Sequence, residues 1–475
     1  MRPTLPLDTF KITLLGCIRF LDHFGGLYGN TLSPAARKRS DRALKAALQA
    51  FALQWMPNSE SPLDPGDPLC KSSAETLNGE PLGSSSLLGV YTDAWFRARS
   101  ILREAISVRS FRVVCAFFIF DGIAVPSKAY VTLNEPHLEH EFLSLGLRKL
   151  QELDRLVNQY CDNLGPFSQY GALAEASLSL VRWCGYIRET GAALTTDFQC
   201  TFPAPFFNSE PSTSGVSIPE GPFHHTLPYL DHNLPDICRK AAGDAFRIWR
   251  EIANVKNSLP RLVDGAFNLP PGSFETISSA ITAIEQFNHS FRPFINHCRE
   301  NFSDLSIPSR ISLVSLAMPW DLGVLVLADT VQVFAHGLCR YSHPALFSCI
   351  QSYGNEAASS VASTIGCMLL LPTEERFNLQ NGLGAEVPII AYHVTPGIMS
   401  ATLERAVEHV VKLRLSSPGD SDDMLQDHQI DRLMKGLVSL DVTIGGSQTA
   451  GVAMQSLMHK YGDAISECWT CDFET

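Results

Sequence analysis

Basic residues are in deficit. Against 49 Asp and Glu stand 37 Lys and Arg, a formal charge of −12 and a pI near 5.6. Such a field repels phosphate backbones and anionic lipid, so any contact with DNA must be local or supplied by a partner. Charge of either sign is sparse as well: 18% of the 475 residues are charged and 45% are hydrophobic, which excludes a disordered tail or a highly charged nucleic-acid arm. Long apolar runs are missing. The longest, Val113 to Phe120, is closed by Asp121 after eight residues, far short of the roughly 20 that a membrane-spanning helix needs. The apolar stretch from Phe10 to Phe24 is interrupted by Arg19, Asp22 and His23 before a signal-peptide core is complete. The expectation is a protein inside the cell and outside the membrane.

Paired cysteines are also lacking. The 13 cysteines are spread singly from Cys17 to Cys471, mostly within apolar stretches such as Val113–Phe117, and read as reduced, buried thiols. The sole Cys-x-x-Cys, Cys468–Cys471, has no second pair at metal-site spacing and no βα context for a redox motif. No Gly-x-Ser-x-Gly elbow occurs, which leaves a nucleophilic hydrolase without a foothold. Gly445–Gly451 lacks the preceding strand and the lysine of a phosphate-cradling loop, and reads as a turn. No run alternates convincingly at period two.

Helical periodicity dominates instead, so the expected fold is all-α, with many helices packed in layers. Ser33-Pro34 reads as an N-cap followed by an N1 proline, after which Leu44, Ala47, Leu48, Phe51 and Trp55 recur at three- and four-residue steps until Pro57. Met56 to Ser86 is rich in Pro, Ser, Gly and Asp and reads as a solvated loop. Helical spacing resumes over Tyr91–Ile106, Phe111–Val125, His137–Cys161 and Tyr170–Leu194. Prolines and serines cluster again over 201–236, and this is the expected internal boundary. Residues 1–30 are poorly specified, 31–200 form an N-terminal helical half, and 237–475 form a C-terminal half with an acidic tail. Within the latter, Ile237–Val255 is helical, and Ser273 caps a pattern of Phe274, Ile277, Ile281, Ile284, Phe287, Phe291, Phe294 and Cys298 that Pro293 should kink. This stripe reads as a face buried in the same chain rather than a coiled-coil seam. Thr395-Pro396 opens a further helix whose Leu403, Val407 and Val410 share a face, and Ser416–Gly419 ends it.

Several constellations carry candidate chemistry. Arg37, Lys38, Arg39, Arg42 and Lys45, five bases against the single acid Asp41 on the polar side of the first helix, suit either a nuclear-import patch or a solvated helix face. His137 and His140 lie three apart beside Glu139 and Glu141, while His224-His225 precedes Asp231-His232. Neither order matches a zincin, and both read as helix-start or solvated residues before metal ligands. Asp422, Asp423 and Asp427 resemble the aspartate-rich magnesium motif of terpene synthases, in which stacked carboxylates hold a hard cation carrying diphosphate. No second metal-binding triad follows, and acids at a helix start account for them. No residue is therefore assigned as catalytic, cofactor-binding or metal-binding.

Four stretches together resemble the middle homology region of fungal transcription factors of the zinc binuclear cluster type: Ala50–Trp55, Ala94–Leu102, Ser110–Phe117 and Leu180–Leu194. The resemblance implies an all-α regulatory region rather than an enzyme, following an N-terminal DNA-binding cluster of six cysteines around two zinc ions. Cys17 and Cys70, the first two cysteines here, are 53 positions apart and do not form such a cluster. The expected function is transcription regulation in the nucleus through co-regulators or a DNA-binding partner, with a homodimer as a further arrangement. No sequence-specific DNA binding by this chain alone is expected, and no cofactor unless zinc in a missing N-terminal cluster. The rivals are a metal-dependent enzyme of terpene synthase type using Asp422, Asp423 and Asp427, and a helical scaffold. From Ser416 onward ten acids face three bases, interleaved with Leu425, Ile430, Leu433, Met434 and Leu437. That mixture suits either coactivator contact or a packed amphipathic helix, and the helix is the favoured reading.

Overall fold

Short polar side chains start several of the helices. Thr13 Oγ1 accepts from Gly16 N at 3.1 Å, Ser33 Oγ from Ala36 N at 3.2 Å, Ser110 Oγ from Arg112 N at 3.2 Å and Thr443 Oγ1 from Gly446 N at 3.2 Å. Each satisfies a backbone donor that the first helical turn leaves open. The computed structural model describes residues 13–58, 87–133, 140–165, 167–203, 227–259, 272–334, 344–371, 377–378, 386–416 and 423–469. Within them the chain is all-α, and β-pairing is confined to the two-residue antiparallel pair Phe377–Asn378 with Glu386–Val387 and an isolated antiparallel bridge between Pro57 and Thr443.

The chain divides into two units: Met1–Gln54, Pro81–Ala192 and Thr201–Asn208 form the first, and Trp55–Glu80, Ala193–Cys200 and Ser209–Thr475 the second. The first holds α1 (Leu14–His23), α2 (Pro34–Leu53), α3 (Leu87–Glu104), α4 (Phe111–Asp121), α5 (Ser127–Leu133), α6 (Glu141–Leu164) and most of α7 (Gln169–Thr195). Helix α4 is its centre. The apolar run of the sequence is this helix, and eight of its 11 residues are buried because α1, α2, α3 and α6 all pack on it. At roughly 1.5–3 kcal/mol for each large side chain removed from water, Phe111, Phe117, Phe118 and Phe120 contribute a large share of the burial energy in the unit. Gly146 lets α6 close on α4, since a Cβ there would lie 2.8 Å from Phe118 Cε1. Gly185 does the same for α7, with Leu150 and Phe118 at 3.1 and 3.2 Å. The helix expected to reach Val125 ends at Asp121, and helix α1 occupies part of the N-terminal segment that the sequence leaves poorly specified.

The second unit holds α8 (Leu227–Ser258), α9 (Ser273–Glu300), α10 (Ile307–Phe334), α11 (Pro344–Leu369), α12 (Pro396–Ser416), α13 (Asp423–Leu440) and α14 (Ile444–Cys468). Helix α10 lies between α8 on one side and α11 and α12 on the other, and α13 and α14 layer onto α12. The α9 stripe is buried within this core, with Phe287 stacked on Trp320 at 3.7 Å between ring centroids. Helix α10 is the one described helix long and apolar enough to cross a membrane by length and composition, and 83% of its apolar stretch is buried inside the protein, as in the central helix of a helical core.

Three further expectations need correction. Gly272, not Ser273, is the N-cap of α9, and no side chain caps that helix. The loop read over 201–236 gives way to helix α8 from Leu227, which continues through Pro235. A proline there cannot donate to the carbonyl of Asp231, and Ser309 Oγ donates to that oxygen instead, at 2.9 Å. Gly445–Gly451 is not a turn but the first two turns of α14. A Cβ at Gly446 would lie 2.8 Å from Thr443 Oγ1 and inside the Leu440 carbonyl, so glycine allows the helix to start directly against the preceding chain. The Met56–Ser86 loop expectation lies outside the described residues beyond Asn58, as does most of the 201–226 segment.

Candidate functional site

The first unit carries a cleft of about 840 Å³ lined by Arg19, Asp22 and His23 of α1, by a long face of α2 from Arg37 to Ala52, and by Arg112 of α4. Both walls rest on α4. The floor is built around Asp22, whose side chain is wholly buried. Its carboxylate accepts from Ser110 Oγ at 2.5 Å, from Phe111 N at 2.7 Å, from Arg112 N at 3.2 Å and from Arg112 Nε at 2.7 Å. An anion placed on the open donors and positive dipole end of α4 is stabilised by both. Arg112 then reaches from Asp22 to Asp41 of α2, donating through Nη1 at 2.5 Å. Burial works against the charge of this guanidinium, but the hydrogen bonds and fields of Asp22 and Asp41 outweigh it and hold its pKa above the ordinary arginine value.

Above this floor the cleft is basic. Arg19, Arg37 and Lys45 are exposed, and among the described residues none forms an ion pair. Neighbouring Arg42 is engaged with Glu104 at 3.3 Å. The spacing of Arg37, Asp41 and Lys45 at four-residue steps makes one α2 stripe legible in the sequence. Arg19, Asp22 and Arg112 were missed, because contacts spanning about 90 residues leave no local pattern; Ser110 before an apolar run was the single visible cue.

The sequence candidates for metal fall elsewhere. His137 and Glu139 lie outside the described residues, while His140 Nδ1 faces Asp121 Oδ1 at 2.9 Å and Arg188 Nη2 donates to Asp121 Oδ2 at 2.6 Å. Burial pushes the Asp121 carboxyl up, but Arg188 and His140 together hold it below the usual aspartate range. Glu141 is engaged by Arg99 and Arg103, both at 3.0 Å. His224 and His225 lie outside the described residues; Asp231 caps α10 by accepting from Ser306 N and Oγ, each at 2.9 Å. Asp422 is likewise outside, and Asp423 and Asp427 stand one turn apart at the start of α13. Asp427 forms an ion pair with Arg414, whose Nε lies 2.8 Å away, and accepts from Cys468 Sγ at 3.0 Å. No group of three His, Cys, Asp or Glu able to hold a metal is found among the described residues. The ten described cysteines are free thiols, five of them buried; Cys471 lies outside.

Compared with known families, curated proteins and solved structures, the chain matches none significantly.

Proposed function

We propose that the chain is a regulator of transcription that works in the nucleus through protein partners, is not an enzyme, and has no sequence-specific DNA contact of its own. The supporting observation is how the four stretches that carry the resemblance assemble. They lie on α2, α3, α4 and α7. Helices α2, α3 and α4 pack on one another, and α7 reaches the same core at Gly185, against Phe118 of α4. Apart from Trp55, Ala193 and Leu194, which belong to the second unit, these stretches far apart in sequence thus form one helical body, as a shared regulatory fold would require. The exposed Arg37, Lys38, Arg39 and Lys45 add a basic cluster of the kind that import receptors read.

The test is to tether the full chain to a reporter promoter through a heterologous DNA-binding domain while imaging a tagged copy. The expected result is a nuclear signal and a several-fold change in reporter output. An unchanged reporter with the tagged protein outside the nucleus would favour the scaffold. Tight magnesium and diphosphate binding that Asp423→Asn abolishes would favour the enzyme.

A further inference from the structure

The lining of the cleft in the first unit changes character along α2. Arg37 and Lys45, with Arg19 opposite on α1, mark its cationic part; half-buried Leu48 and exposed Ala52 continue the same α2 face as an apolar strip over the buried Leu44. From Arg37 to Ala52 this face runs for about 22 Å at 1.5 Å per residue. The positive end of the α2 dipole lies at the cationic end. Four bases stand against two acids within the cleft, a local reversal of sign in a chain whose net charge is −12.

We propose that this cleft is a docking groove for an acidic, amphipathic peptide segment of a partner protein, its carboxylates against Arg19, Arg37 and Lys45 and its apolar side chains on Leu48 and Ala52. Charge complementarity selects the occupant. A helical segment of about four turns matches the length of the face, and its one-sided apolar stripe matches the strip. A nucleic acid would bring repeated phosphates and no apolar stripe, leaving half of the groove unmatched, and would meet the negative field of the rest of the chain. A small organic anion would remain largely exposed in so long and open a cleft, whereas small ligands are held by enclosure. The chain from buried Asp22 through Arg112 to exposed Asp41 fixes α1 and α2 on α4 and so keeps the groove formed without the partner. This binding chemistry belongs to the cleft and does not depend on a role in transcription.

The test uses the full chain and a fluorescein-labelled synthetic helical peptide of about 15 residues, with Asp and Glu in one half of a face and Leu and Phe in the other, read by anisotropy at physiological ionic strength. The expected result is saturable binding that weakens about tenfold or more in Arg37→Glu/Lys45→Glu and about threefold or more in Leu48→Gln, by the loss of charge pairing and apolar contact respectively. Arg37→Gln/Lys45→Gln gives an intermediate loss, and circular dichroism of every variant matches the parent because Arg37 and Lys45 are exposed and Leu48 is only half-buried. Three outcomes overturn the proposal: no saturable binding up to about 1 mM peptide, equal affinity in the charge-reversed variant, or polyglutamate or duplex DNA binding as tightly as the amphipathic peptide.

Discussion

Replacing Asp22 by alanine removes the carboxylate that joins α1 to the start of α4. Ser110 Oγ, the Phe111 and Arg112 amides and the Arg112 guanidinium all lose an acceptor at once. Arg112 is left with Asp41 alone, its side chain only 13% exposed. Breaking a buried pair by removing one partner costs about 3–5 kcal/mol, because the remaining charge stays desolvated. With a urea dependence of about 2 kcal/mol/M, that cost lowers the unfolding midpoint of the first unit by about 1.5–2.5 M. Hydrogen exchange of α4 peptides across a urea series reads this unit separately from the rest of the chain. Asp22→Asn keeps one acceptor oxygen and is expected to cost about 2 kcal/mol. Adding Arg112→Met to Asp22→Ala removes the stranded cation and should restore at least about 1 kcal/mol relative to the sum of the single changes. A midpoint shift under about 0.5 M for Asp22→Ala, or strict additivity in the double variant, would refute the role given to this carboxylate.

Gly446→Ala drives a Cβ into the Leu440 carbonyl at the start of α14 and should destabilise the second unit by about 1–3 kcal/mol, measured by urea denaturation. The His409 pKa lies below its ordinary value of 6.5, chiefly through burial, with Lys412 acting in the same direction and Asp329 against it. Neutral His409 therefore contributes stability that is complete above about pH 6.5 and is lost as the pH falls through the folded-state value, so melting of the second unit should weaken below pH 6.5 in the parent and less so in His409→Gln. Arg188→Met strips the largest favourable field from Asp121; the Asp121 contribution, present above its unfolded pKa and lost as the pH falls through a lower folded value, should then fail at higher pH, moving the acid-unfolding midpoint of the first unit upward.

The helices with one apolar face were legible. Ser33-Pro34 starts α2, the Phe and Ile stripe of α9 is buried, and Pro396–Ser416 is α12 as the spacing of Leu403, Val407 and Val410 predicts. Helices α10 and α11 were not assigned. In α10 nearly every position from Leu313 to Ala328 is buried, so no polar face exists to create a 3.6-residue rhythm. Helix α14 was hidden for the opposite reason: its glycines argue against a helix by propensity, and the close approach to Leu440 that accounts for Gly446 is visible only in the structure. Proline misled at 235, where a serine 74 residues later takes the orphaned carbonyl. The candidate cleft was half legible. The α2 bases stand out as a local cluster, whereas their opposing wall and floor arise from α1 and α4 meeting across the unit, which periodicity does not encode.

Acute depletion of the protein, followed within minutes by genome-wide measurement of newly made RNA, is the decisive test of the proposed role in transcription. A defined set of transcripts changing several-fold before any growth defect is the predicted result. An unaltered profile, with the chain fully depleted, would contradict it.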